Sequence, residues 1–208
     1  MRNVEELFAR ALRGEPCVIV GLGDEDTPLP VGEWLRSPDA DDEAMLRHCL
    51  GPTLDIGCGP GRMTAALART GQVALGIDVV GAAVAETCNR GGVAMRRDLF
   101  DPLPGEGRWA CALLADGNVG IGGDPERLLS RVRGVLTSGG RAIVEVAEPG
   151  IAAASMSLCL DVGGSRSHPF PWAFLGADDI GQVATNAGLM TRSVHQHGER
   201  WCAVLEVP

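Results

Sequence analysis

The sequence predicts an α/β fold, a mostly parallel sheet with helices on both faces and an antiparallel strand closing one edge. Three observations predict it. Between residues 53 and 147, short apolar runs alternate with segments of helical periodicity, and strand and helix in alternation build βαβ units, whose strands are parallel. Residues 189–197 and 200–207 read as two strands joined through Gly198, a hairpin at the sheet edge. The 208 residues, 45% of them hydrophobic, suffice for one well-buried core.

The elements follow in order. Residues 4–12 carry apolar side chains at helical spacing (Val4, Leu7, Phe8, Ala11, Leu12), and 17–20 form a short apolar run. Residues 21–32, rich in Gly, Asp and Pro, predict a loop. A second helix starts near Pro38, with Asp39, Asp41, Asp42 and Glu43 crowded where the helix dipole favours negative charge, and stops before Gly51-Pro52. Residues 1–52 therefore read as a helical preface and 53–208 as the core, in one domain overall. Within the core the spacing predicts strands at 53–56, 73–77, 93–97, 109–114 and 141–147 and helices at 62–70, 82–90 and 125–136. Residues 151–157 read as a small-residue stretch, 163–172 as a loop and 178–187 as a helix. The whole chain after the preface reads as one sheet.

Composition excludes several functions. The formal charge is -9, and the 18 basic residues, all arginine, are scattered, whereas a protein that grips nucleic acid carries a basic face that releases counterions. No run approaches the ~20 apolar residues of a membrane span, and acids and arginines occupy the N-terminal segment where a secretory signal needs an apolar centre. A cytoplasmic protein with a small-molecule partner is expected, with no nucleic acid or membrane. The seven cysteines are odd in number and widely spaced, without a C-x-x-C, so they read as reduced and buried. His195 and His197 share a strand face, with Cys202 across the hairpin, but no metal-ligand spacing accompanies them and no metal is expected.

The segment TLDIGCGPGR, residues 53–62, carries the chemistry. An apolar strand ends in glycines at 57, 59 and 61 and runs into a helix, where bare backbone lets a ligand approach amide groups at a helix N-terminus. The dinucleotide fingerprint wants a third glycine at position 62, which is Arg, and has no place for Asp55 two residues before the first glycine. Asp78 closes the next apolar run 23 residues after Asp55, the separation at which an acid reaches a ribose.

The string D-x-G-x-G-x-G resembles motif I of the class I S-adenosylmethionine-dependent methyltransferases, and the likeness extends over residues 53–147. The resemblance implies a Rossmann-like, seven-stranded methyltransferase fold and S-adenosyl-L-methionine as cofactor. It further implies that Gly57, Gly59 and the backbone near Cys58 approach the methionine and ribose portions. Asp55 orders the loop or the amino group through water, Asp78 serves the ribose, Asp98 and Leu99 serve the adenine, and Val79 is a further cofactor-binding residue. Asp116-Gly117-Asn118 falls at the family's motif IV, between cofactor and substrate. Trp34 is a candidate cover over the sulfonium, which an aromatic face attracts. If a general base is used, the candidates are Asp116 and His168, the latter in a loop able to form a lid. The Asn/Asp-Pro-Pro-aromatic motif of adenine methylation is missing, and the one Pro-Cys pair, Pro16-Cys17, lies far from the fourth strand. The expectation is methyl transfer to a small-molecule acceptor. Two alternatives stay open: a non-catalytic S-adenosylmethionine-binding regulator and a nicotinamide-dependent oxidoreductase.

Overall fold

The computed structural model describes residues 2–23 and 25–208. Asp24, within the expected loop at 21–32, lies outside the described residues. In chain order the elements are α1 (Val4–Leu12), β1 (Cys17–Val20), β2 (Thr27–Pro28), α2 (Val31–Leu35), α3 (Ala40–Leu46), β3 (Thr53–Ile56), α4 (Arg62–Arg69), β4 (Ala74–Asp78) and α5 (Gly81–Asn89). There follow β5 (Ala94–Arg96), β6 (Trp109–Leu114), α6 (Pro125–Val135), β7 (Leu136–Val146), β8 (Ala154–Val162), β9 (Ser165–Arg166), β10 (Phe170–Phe174), α7 (Ile180–Asn186), β11 (Met190–His197) and β12 (Arg200–Glu206).

A seven-stranded sheet in the order β11-β12-β7-β6-β3-β4-β5 forms the centre. Its β7, β6, β3, β4 and β5 are parallel, while β12 pairs antiparallel with both β7 and β11. Both faces are buried, so β3 is buried at all four positions, the polar Thr53 and Asp55 included. On one face Leu54, Ile56, Ala112 and Leu114 pack against α6 and α7 through Leu128, Leu129, Val132, Ile180 and Ala184. On the other, Cys111, Leu113, Ile143 and Cys202 pack against α3 and α4 through Met45, Met63 and Leu67. The fold is Rossmann-like.

The expectation of a single sheet after the preface is corrected. A second sheet runs in the order β10-β8-β1-β2, with β9 paired to β8. Residues 151–157 and 163–172, expected as a small-residue stretch and a loop, contribute to β8, β9 and β10. The physical reason is the alternation Met156, Leu158, Leu160, Val162, which buries the last three residues and packs Leu160 and Val162 against Leu7, Ala11 and Cys17. Residues 17–20 of the preface lie in the middle of this sheet, with Val18 opposite both Asp161 and Pro28. A short helix, α2, also occupies residues 31–35, where the loop was expected to end. Strand β7 begins at Leu136 rather than 141 because its first residue already pairs with Trp109 across an irregular register.

Candidate functional site

The carboxyl ends of β3, β4, β5, β6 and β7 open into a cavity of about 670 Å³ roofed by the second sheet, α1 and α2. A cavity at the strand ends of an open α/β sheet, in the ~300–1,000 Å³ range, is where a small ligand binds. Its wall includes Trp34, Asp55, Gly57, Cys58, Gly59, Asp78, Val79, Asp98, Leu99 and Asp116, all ten residues expected around the cofactor. His168 is corrected. It is exposed and outside this wall, because the segment is a sheet edge in which buried Ser167 faces inward and its neighbour faces out.

The glycine loop is built by close packing. The amides of Gly57 and Cys58 both donate to the Ile77 carbonyl, at 2.9 and 3.0 Å, and the loop closes with Gly61 N–H donating to Cys58 O. Gly61 has φ +85°, and a methyl group there would lie 2.6 Å from Thr87 atoms, so only glycine lets α4 start against α5. Gly59 differs: at φ +53° a methyl group would meet nothing within 4 Å. Bare backbone beside open space is the cradle a bound adenosyl group needs, and these residues fit that group.

Asp78 sits between two amides. Its Oδ2 accepts from Gly59 N–H at 2.9 Å and its Oδ1 from Val80 N–H at 2.8 Å. Burial pushes its pKa above the usual carboxylate range, while the amides of Val80 and Gly59 pull it back. Asp98 accepts from Phe100 N–H at 2.9 Å, and Leu99 is 4% exposed. Asp55 is fully enclosed beneath the loop, accepting from Thr64 Oγ1–H at 2.5 Å. Desolvation pushes its pKa up to about 7, against the Thr64 hydroxyl that lowers it.

Asp116 has φ +53°, the left-handed region that a non-glycine residue rarely occupies. A frame of charges holds it there. Arg62 Nη2 donates to both of its oxygens, at 2.6 and 2.8 Å, Arg200 Nη2 reaches Oδ1 at 3.2 Å, and the Asp116 amide donates to Glu145 Oε2. Glu145 is itself gripped by Arg200 at 2.6 and 2.8 Å. Asp42, wholly buried, pairs with Arg36, Arg62 and Arg200. Burial raises the pKa of Asp116, and Arg62 and Arg200 oppose that shift. With 30% of its side chain accessible, Asp116 still presents polar surface to the cavity.

Sequence reasoning missed Asp42, Glu145 and Arg200, which come from three distant elements and carry no local spacing. Arg62 was visible only as a departure from the dinucleotide fingerprint. The stretch at 169–172, within the segment expected as a loop, supplies Phe170 and Trp172 to the cavity wall. Trp34, also in the wall, stacks on Phe8 with ring centroids 5.4 Å apart. Outside the cavity His195 stacks on His48 at 4.5 Å, and Cys202 is buried in the core. Among the described residues no group of three His, Cys, Asp or Glu side chains is arranged to hold a metal. No helix among them is long and apolar enough to cross a membrane.

Comparison with known proteins adds the following. Residues 54–144 match the model of a family described as "Methyltransferase domain". No curated protein matches the chain in sequence. Among solved structures, the fold is similar to an S-adenosylmethionine-dependent methyltransferase from Bacteroides fragilis in complex with S-adenosylhomocysteine. The TM-score is 0.80 at 17% identity, over 98% of this chain and 94% of that one. It is also similar to the CcbJ methyltransferase from Streptomyces caelestis, with a TM-score of 0.63 at 16% identity over 84% and 91% of the two chains. A third is the Burkholderia thailandensis 1,6-didemethyltoxoflavin-N1-methyltransferase, with a TM-score of 0.59 at 16% identity over 80% and 76%.

Proposed function

We propose, on the premise that residues 54–144 match the family described as a methyltransferase domain, that the chain is a class I S-adenosylmethionine-dependent methyltransferase that methylates a small molecule held in the roofed cavity. S-adenosylmethionine is the methyl donor. The observation that carries the proposal is one continuous cavity with two chemistries, a floor of glycines and carboxylates at the strand ends and an apolar roof above it. The Burkholderia enzyme was solved with a small-molecule substrate, 1,6-didemethyltoxoflavin, beside S-adenosylhomocysteine, which supports a small acceptor. The formal charge of -9 argues against a nucleic acid in its place.

In this reading Gly57, Gly59 and the backbone at Cys58 carry the donor, Asp78 accepts from its ribose hydroxyls, and Asp98 and Leu99 border its adenine. Asp55 acts from beneath, fixing Thr64 and so the start of α4. When bound, the donor supplies an electrophilic methyl: an acceptor lone pair bonds to that carbon as the carbon–sulfur pair returns to sulfur, leaving S-adenosylhomocysteine. The protein orients the acceptor and excludes water, contributions that reach ~7–11 kcal/mol in well-oriented reactions. Asp116 is the side chain placed to take a proton from an acceptor that must lose one, since its burial raises its basicity.

The test is calorimetry with S-adenosylhomocysteine, followed by transfer of labelled methyl to a pool of small molecules. S-adenosylhomocysteine at 100 times its Kd is expected to stabilise the fold by about 2.7 kcal/mol, with NAD giving no shift. Stabilisation by NAD alone would assign the cavity to an oxidoreductase. Binding without methyl transfer to any acceptor would favour a regulatory protein.

A further inference from the structure

The two walls of the cavity differ in kind. Among the described residues, its floor, the carboxyl edge of the seven-stranded sheet with the start of α4, supplies every ionisable side chain that faces it, including Asp78, Asp116, Glu145 and Arg62. Among the described residues, each lining side chain contributed by α1, β1, the stretch from β1 to α2, α2, β8 and β10 is aliphatic or aromatic. Among the described residues, no Ser, Thr, His or Tyr lines the cavity. The chain holds four Phe, four Trp and no Tyr, and Phe8, Trp34, Phe170, Trp172 and Phe174 all stand in this wall. A sequence this poor in aromatic residues has gathered most of them over one cavity.

From this asymmetry we infer that the acceptor is an apolar, ring-bearing small molecule with its nucleophilic atom at one end. The inference rests on the methyltransferase reading and names the substrate class of that same site. Among the described residues, the roof's side chains offer no hydrogen-bond acceptor and no donor but the indole N–H groups of Trp34 and Trp172, so a charge or a cluster of hydroxyls buried against it is left largely unpaired, which disfavours sugars, amino acids and nucleosides in that half. Aromatic walls favour a flat ring in stacked or edge-on contact. The polar end of the acceptor then has one direction to face, the floor, where Asp116 stands beside the donor's place. The cavity is shared with the donor, so its volume of about 670 Å³ limits the acceptor to a compact ring system.

The experiment uses the full chain saturated with S-adenosylhomocysteine and the neutral fluorescent probe N-phenyl-1-naphthylamine, with 1-naphthol as competitor. The probe is expected to bind once per chain, with 1-naphthol displacing it. Trp172→Ala should weaken probe binding tenfold or more while the S-adenosylhomocysteine Kd stays within twofold. Because Trp172 also packs against Gly120, Phe8→Ala is a second variant, and thermal melting confirms that each is folded. A labelled-methyl screen should then give product from apolar ring compounds carrying one amine, hydroxyl or ring nitrogen, and none from glucose, serine or adenosine. Failure of S-adenosylhomocysteine itself to bind would remove the methyltransferase reading and this inference together. Cofactor binding with no probe binding, unchanged probe affinity in both folded variants, or methylation of the polar compounds alone would overturn this inference and leave the other intact.

Discussion

Two carboxylates under the glycine loop do different work, and each can be tested singly. Asp78 is accessible to a ligand while holding the amides of Gly59 and Val80. Asp78→Ala is expected to weaken S-adenosylhomocysteine binding by about 1–3 kcal/mol, the scale of a charge-assisted hydrogen bond, which calorimetry reads as a roughly fivefold to 150-fold rise in Kd. Asp55 is enclosed, and its pKa lies at about 7 in the fold against 3.8 as an ordinary aspartate. A raised carboxyl favours the fold while protonated. Its contribution is therefore complete below pH 3.8 and is lost, at about 1.4 kcal/mol per pH unit, as the pH rises to 7. Asp55→Asn keeps an acceptor for Thr64 and cannot ionise. The gain in stability of this variant over the parent should grow from pH 5 to pH 7 in paired thermal melts, and a constant difference would contradict the burial argument. Both acids were legible in the sequence, Asp55 from its place two residues before the first glycine and Asp78 because it ends an apolar run. That one is buried and neutral-leaning was not, since burial depends on what covers it.

Elements meet at the charged frame. Arg200 on β12 links Asp42 on α3, Glu145 on β7 and Asp116 beyond β6, while Arg62 on α4 reaches Asp42, Asp116 and the Glu33 carbonyl of α2. The frame thus ties the preface to the sheet and fixes the backbone of Asp116. Removing one partner of an ion pair withdrawn from water strands the other charges. Arg200→Met should cost on the order of 3 kcal/mol, read as a lower urea midpoint at unchanged slope. Less than 1 kcal/mol would mean that water already compensates the three acids. Most helices and strands of the core were legible because their periodicity is local. The β6 strand, 109–114, is an example, buried along nearly its whole length. The frame was not legible, because Asp42 and Arg200 stand 158 residues apart.

At the scale of the molecule, two sheets divide the labour. The seven-stranded sheet brings the strand ends and their acids to one crevice, and the second sheet closes an apolar roof over it. The roof is assembled from a segment before the central sheet and one inserted between its strands β7 and β11, since β1 pairs with β8 through Cys17↔Val162 and Val20↔Cys159. The period-two pattern of β8 was present in the sequence at Met156, Leu158, Leu160 and Val162. It was masked by the small residues before it and the Gly163-Gly164 turn after it.

The sequence by itself determined the alternating sheet, the glycine loop and the acids that follow each strand, because these depend on periodicity, turn chemistry and spacing within a few dozen residues. Only the tertiary structure decided that a second sheet exists, that its apolar face is the ceiling of the cavity, and that Asp116 is held by two arginines. Those facts depend on pairings between distant segments, and a strand's partner across more than a hundred residues is chosen by the packing of the whole chain.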